Sequence, residues 1–248
     1  MSGARVEAGG LVQSESLSGF DWTDADLTET AFVDCLIEGA QLSGVTLTGA
    51  RFQRCRILRC RFAHADLREA SFEDCAFADP ETRTGMVAAF SNLEMARFAR
   101  CDLTLSLFDR SGLHAIEMQA CNLRGARFEK ADFAKSFGRK VVRTLASFRD
   151  CNLELADLSG ARLTGCSLTG CDLRDADLAG ADLEGANLRG ANLFHALVAG
   201  AKLAGADLRG AEISGLDLAV LATREGLIVT ADQQHALLTA LGIDVRAS

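Results

Sequence analysis

Residues 176–193 read ADLAGADLEGANLRGANL, a beat of five: small, polar, leucine, variable, then often glycine. Residues five apart on an α-helix are rotated by about 140° and cannot line one face. On a strand they point to opposite sides, because side chains alternate. A sustained period of five therefore requires the chain to turn a corner in every unit. The small residue and the leucine are two apart, so both face inward on one short strand. The following pair, often Ser-Gly, Arg-Gly or Thr-Gly, makes the corner, where glycine accepts a positive φ. Four corners close a square, and the next coil stacks on it at about 4.8 Å. The sequence predicts an all-β solenoid.

The central apolar position can be followed outward from this stretch. It reads Trp22, Leu27, Phe32 and Ile37 at one end, and runs by fives to Phe77. It resumes from Leu93 to Phe133, and again from Phe148 to Leu218. All nine cysteines (35, 55, 60, 75, 101, 121, 151, 166 and 171) fall two residues before a central position. They read as small inward packing residues, as free cysteines in a core do, rather than metal ligands or disulfides. Cys35, Cys55 and Cys75 should stack on one side.

Composition sets outer bounds. The chain has 248 residues and a net charge of −8, which disfavours direct nucleic-acid binding through phosphate neutralisation. By segment the charge is about −7 for residues 1–50, about +5 for 51–150 and about −6 for 151–248. No apolar run approaches the roughly 20 residues of a membrane span. The opening MSGARVEAGGLVQSES has no signal-peptide core, so residues 1–19 are expected to be a flexible tail and the location cytoplasmic. His64, His114, His195 and His235 are scattered outside the inward slots, and the repeat accounts for the glycines and cysteines. No catalytic, cofactor or metal constellation emerges.

The beat fails twice within residues 20–218. ADPETRTGMVAAFSN, between Phe77 and Leu93, shifts the register by one and holds the only proline. AKSFGRKVVRTLAS, between Phe133 and Phe148, puts Gly138 and Arg143 at central positions. An arginine in so narrow a core would be a buried unpaired charge, so this stretch should bulge outward. Its tip is basic, with Lys135, Arg139, Lys140 and Arg143. After Leu218 the beat stops, and residues 219–248 are expected to form a cap. Thr230 precedes Gln233 at capping-box spacing, and Leu237, Leu238 and Leu241 offer an apolar face ending at Gly242. On the outer surface Asp157, Asp177 and Asp217 should share one column that Leu197 interrupts.

The A-D/N-L-x-G beat resembles the pentapeptide-repeat family, whose fold is a right-handed quadrilateral β-helix. The order of CAFAD, ARFARCDL, AIEMQACNLRGARF, SFGRKVVRTLASF, CNLELADL and ALLTALGIDV resembles the Qnr branch. That resemblance implies a non-enzymatic protein that protects DNA gyrase, and topoisomerase IV, from quinolones or natural poisons such as albicidin and cystobactamid. It implies topoisomerase-binding loops at about 79–89 and 135–146. These carry Asp79, Pro80, Glu81, Thr82 and Arg83 in the first, and Lys135, Phe137, Arg139, Lys140 and Arg143 in the second. It also implies a homodimer through the carboxyl-terminal helix, with Leu237, Leu238, Leu241 and Ile243 at the interface. The acidic column would then act as a partial DNA mimic. Two other readings stay open: a rigid interaction scaffold unrelated to topoisomerases, and a plain DNA-mimic gyrase inhibitor. The first loop is slightly longer than usual in that branch, and the loop residues differ.

Overall fold

The computed structural model describes residues 6–137, 141–240 and 243. The chain winds as a right-handed, four-sided β-helix. One side is a seven-stranded parallel sheet in the order Leu11–Gln13, Ala31–Val33, Arg51–Gln53, Ser71–Glu73, Arg97–Ala99, Glu117–Gln119 and Ser147–Arg149. Its pairings are in register, so Phe32 lies on Phe52, Phe52 on Phe72 and Phe72 on Phe98. Single bridges carry the same side onward through Ser167, Asn187 and Asp207 to Ile228. The second side runs from Leu36 through Arg56, Ala76, Asp102 and Asn122 to Glu212. The third runs through Arg61, Val87, Leu107, Arg127, Asp157, Asp177 and Leu197. On the fourth, bridges join Asp26 through Thr46, Asp66, Asn92 and Gly112 to Asp132, and later Arg162 to Asp182, Lys202 and Thr223.

The central leucines and phenylalanines are buried throughout, and the small residues two places before them fill the corners of the core. Phe32, Phe52, Phe72 and Phe98 form one ring stack with centroids 4.6, 4.8 and 4.7 Å apart. Each such side chain contributes about 1.5–3 kcal/mol by leaving water.

The corner residues adopt the left-handed region, but glycine is not required at each. From Gly160 onward nearly all are glycines, whereas the amino-terminal half uses Asp34, Arg54, His64, Asp74, Phe90 and Arg100 among others. Two ends depart from the boundaries at 20 and 218. Val12 and Leu17 are buried in a coil that hydrogen-bonds to the next, so the rod begins before residue 20, and Leu11–Gln13 is strand rather than tail. Past Leu218 a short 3-10 turn, Leu218–Val220, adds one residue to the coil, and Thr223 and Ile228 still pair with the coil before them.

The cap follows. The Thr230 amide and hydroxyl both donate to Gln233 Oε1, at 2.7 and 2.8 Å. Gln233 Nε2 in turn donates to the carbonyls of Leu208 and Ala211 at 2.7 and 2.8 Å. Both lie at the end of the coil stack, where no further coil supplies the Ala211 carbonyl with a donor; the Leu208 carbonyl also accepts from the Ala211 amide at 2.9 Å. Helix Gln234–Ala240 then lies across the end, with Ala236 and Leu237 packed on the core. Among the described residues no helix is long and apolar enough to cross a membrane.

Candidate partner-binding surface

The nine thiols are buried and free. Seven of them share one column: Cys35, Cys55, Cys75, Cys101, Cys121, Cys151 and Cys171. Each Sγ donates to the carbonyl of the central residue one coil earlier, from Val12 to Phe148, at 3.3–3.5 Å. Burial pushes Cys60 and Cys166, outside that column, up to about 11. The thiolate is the reactive form, so these groups are structural. Among the described residues no group of three or more histidines, cysteines or carboxylates could hold a metal ion.

The first loop leaves the coil after Ala78, at the end of the second side. Asp79 N–H donates to the Thr84 carbonyl at 2.8 Å in an antiparallel bridge that closes the loop's neck. The Asp79 side chain is buried: the Glu81 amide donates to it at 2.9 Å and Arg59 at 3.0 Å. These contacts, the Glu81 amide first, hold its carboxyl below the usual aspartate range. Arg59 also reaches Glu38 at 2.5 Å. Pro80, Glu81, Thr82 and Arg83 are exposed. Gly85 then presses against the Thr104–Ser106 backbone, where any Cβ would come within 2.4–2.6 Å of main-chain atoms. The loop is shorter than 79–89. Met86 is back in the core, and Val87–Ala89 is a strand with Ala88 between Phe62 and Phe108.

The second break is an antiparallel hairpin, Ala134–Phe137 with Val141–Thr144, pairing Lys135 with Arg143 and Phe137 with Val141. Lys135 is exposed and its Nζ pairs with Glu94. Arg139 and Lys140 lie outside the described residues. Thr144 Oγ1 donates to the Thr164 carbonyl at 2.7 Å, and Ala146 is again an inward residue, so the projection ends before 146. His114 is buried near the hairpin's base, its Nδ1 3.4 Å from the Phe133 carbonyl oxygen.

The loop and the hairpin leave the rod from opposite corners of the square, at the ends of the second and fourth sides. The coil between them carries three bulky apolar residues at left-handed corners. Phe90, Met95 and Leu105 have φ of 52°, 59° and 56° and are all more than 40% exposed. The Phe90 ring lies between His64, stacked at 5.3 Å, and the Arg110 guanidinium at 5.3 Å. The five-residue beat alone gives these positions no role. The signal was a large apolar residue where the repeat elsewhere uses glycine or aspartate.

On the third side Asp157 and Asp177 are direct neighbours in the ladder, between Arg127 and Leu197. Neither forms an ion pair among the described residues. Asp157 accepts from the Ser159 amide and hydroxyl, and Asp177 from the Ala179 amide at 2.9 Å. Asp217 instead caps the 3-10 turn, accepting from the Ala219 amide at 2.9 Å. The arginine run from Arg51 to Arg61 is dispersed: Arg51, Arg56 and Arg61 sit on three different sides. Arg54 pairs with Asp34 through two bonds of 2.7 and 2.8 Å. In the cap, Leu237 and Leu238 are half-buried, Leu241 lies outside the described residues, and Ile243 is exposed.

A four-sided coil with two projections and a helical cap defines a β-helical repeat rod. The chain resembles the pentapeptide-repeat proteins, the Qnr proteins among them: the family model Pentapeptide repeats matches it in eight copies, over residues 35–74, 151–190 and 186–219. Full-length QnrB1, a plasmid-mediated fluoroquinolone resistance protein, is 27% identical over 84% of this chain and 100% of its own, with a TM-score of 0.74. A trypsin-treated QnrB1 variant is 27% identical over 85% of this chain and 100% of its own, with a TM-score of 0.72. No curated protein matches the chain.

Proposed function

We propose that this protein protects DNA gyrase, and topoisomerase IV, from quinolones or natural poisons such as albicidin and cystobactamid, by binding without catalysis. The observation that carries this reading is the likeness to QnrB1 along its whole length, coupled to two projections that leave opposite corners of the rod. The loop residues Pro80 to Arg83 and the hairpin around Lys135, Phe137, Arg139, Lys140 and Arg143 engage the enzyme. The adjacent Asp157 and Asp177 carboxylates present part of a DNA-like surface to a basic saddle. Duplex DNA carries one charge per about 1.7 Å. Two carboxylates on neighbouring coils, about 4.8 Å apart, are a partial imitation. Leu238, Leu241 and Ile243 join two rods end to end, with Leu237 sealing each core. The protein acts in the cytoplasm.

The test is supercoiling by purified gyrase on relaxed plasmid with a quinolone or albicidin present. Added protein is expected to restore supercoiling, and removal of residues 135–144 to abolish that while leaving the β-rich circular dichroism unchanged. Supercoiling still blocked at micromolar protein, in both poisons, would leave only the scaffold reading. Inhibition of gyrase without any drug would favour plain DNA mimicry.

A further inference from the structure

Between the first loop and the coil beneath it lies a cavity of about 260 Å³. Ala78, Pro80 and Leu105 form its apolar walls, Asp102 and Thr104 its floor, and Arg83 its rim. The Asp79–Thr84 bridge and the close seating of Gly85 fix the neck of the loop beside it. Its volume falls below the roughly 300–1,000 Å³ of sites for drug-sized ligands. It suits a single large side chain.

Three observations choose which side chain. Leu105 is held at φ 56° and is 46% exposed, so it bears backbone strain and gains little from burial. A glycine would sit there without strain, as Gly125 does on the next coil, directly beneath the Leu105 methyl. The floor carboxylate of Asp102 is already engaged, by the Thr104 amide and hydroxyl at 3.1 and 2.6 Å and by Asn122 at 3.3 Å. It offers little to an incoming cation. Arg83, in contrast, pairs with no carboxylate among the described residues. An apolar slot under an unpaired guanidinium suits an aromatic ring with an acidic group beside it.

We propose that the cavity beneath the first loop receives one aromatic side chain, flanked by a carboxylate, from the protein partner. This rests on the reading of the first loop as a gyrase-docking element. Buried aromatic anchors of this kind carry a large share of interface energy.

Three variants test it, each measured for melting temperature and for affinity to the purified gyrase tetramer. Leu105→Gly relieves the corner strain, so it is expected to melt at or above the wild type and yet bind at least tenfold more weakly. Arg83→Glu, on the exposed rim, is expected to keep its fold and lose at least tenfold in affinity. Removal of residues 79–84 restores the five-residue phase and is expected to bind no better than either. If both point variants bind as wild type while the excision weakens binding, the cavity is refuted and the loop's role stands. If the excised protein binds as wild type, the docking role of the loop falls and takes the cavity with it. If Leu105→Gly melts well below wild type, Arg83→Glu decides: weaker binding upholds the proposal and unchanged binding overturns it.

Discussion

Cys101 lies directly over Cys75 in the thiol column, donating to the Phe72 carbonyl at 3.4 Å as Cys75 donates to that of Phe52 at 3.5 Å. The first loop departs and returns between them without disturbing the stack. All nine thiols are buried, so the native protein should leave them unreacted with Ellman's reagent, and denaturant should release all nine. Rapid reaction of even two thiols in the native state would contradict the packing.

Phe72 sits between Phe52 and Phe98 in the ring stack, with Phe77 edge-on at 5.3 Å. Phe72→Ala should cost about 3–5 kcal/mol, because the neighbouring coils are fixed by backbone pairing and cannot close the hole. Phe72→Leu should cost less. Urea unfolding, with unchanged m-value, measures the difference.

Gln233 closes two carbonyls at the end of the stack. Gln233→Leu keeps the bulk but leaves the Ala211 carbonyl and the Thr230 amide without partners, while the Leu208 carbonyl keeps the Ala211 amide at 2.9 Å. Each buried orphan costs about 1–3 kcal/mol. The expected signature is fraying from the carboxyl end, read as faster amide exchange at Ile228 and Leu208 with little change near Phe52. Uniform exchange along the rod would show that the plug is dispensable.

Several surface carboxylates are held low by arginines. The Arg209 side chain, at 2.6 Å, lowers Asp207 to about 2, and Asp34, Asp66, Asp74 and Asp172 shift the same way. A depressed folded-state value contributes stability above the unfolded pKa, about 3.9, and loses it as pH falls toward the folded value. The melting temperature should therefore be nearly flat from pH 7 to 5 and fall between about pH 4 and 2. Arg209→Gln should raise the Asp207 midpoint in a carboxyl NMR titration. These groups face water, so the loss at each is small.

Most of the coil was legible because a period of five admits so few backbones. The places it misled are instructive. Val12 and Leu17 stand on the beat, but the polar, glycine-bearing opening around them reads as tail. Ala88 holds a central position while looking like an inward spacer, so the first loop seemed to reach Ala89. The thiol column carries the correction openly. Its intervals are 20 residues except for 26 from Cys75 to Cys101 and 30 from Cys121 to Cys151, which measure six inserted residues and then ten. The slot under the first loop was not readable at all. It exists only because Gly85 seats against Thr104–Ser106 and Asp79 turns inward to Arg59, contacts between coils that no local pattern encodes.

The in-register ladders from Asp157 to Leu197 and from Asn152 to Glu212 make the stretch between hairpin and cap a scale with fixed graduations. Inserting or deleting one circuit of twenty residues there would move the projections relative to the capped end by a single step of about 4.8 Å, leaving every side facing as before. Reach along the axis and direction of the projections are thus separate variables in this architecture, and the first changes only in whole numbers.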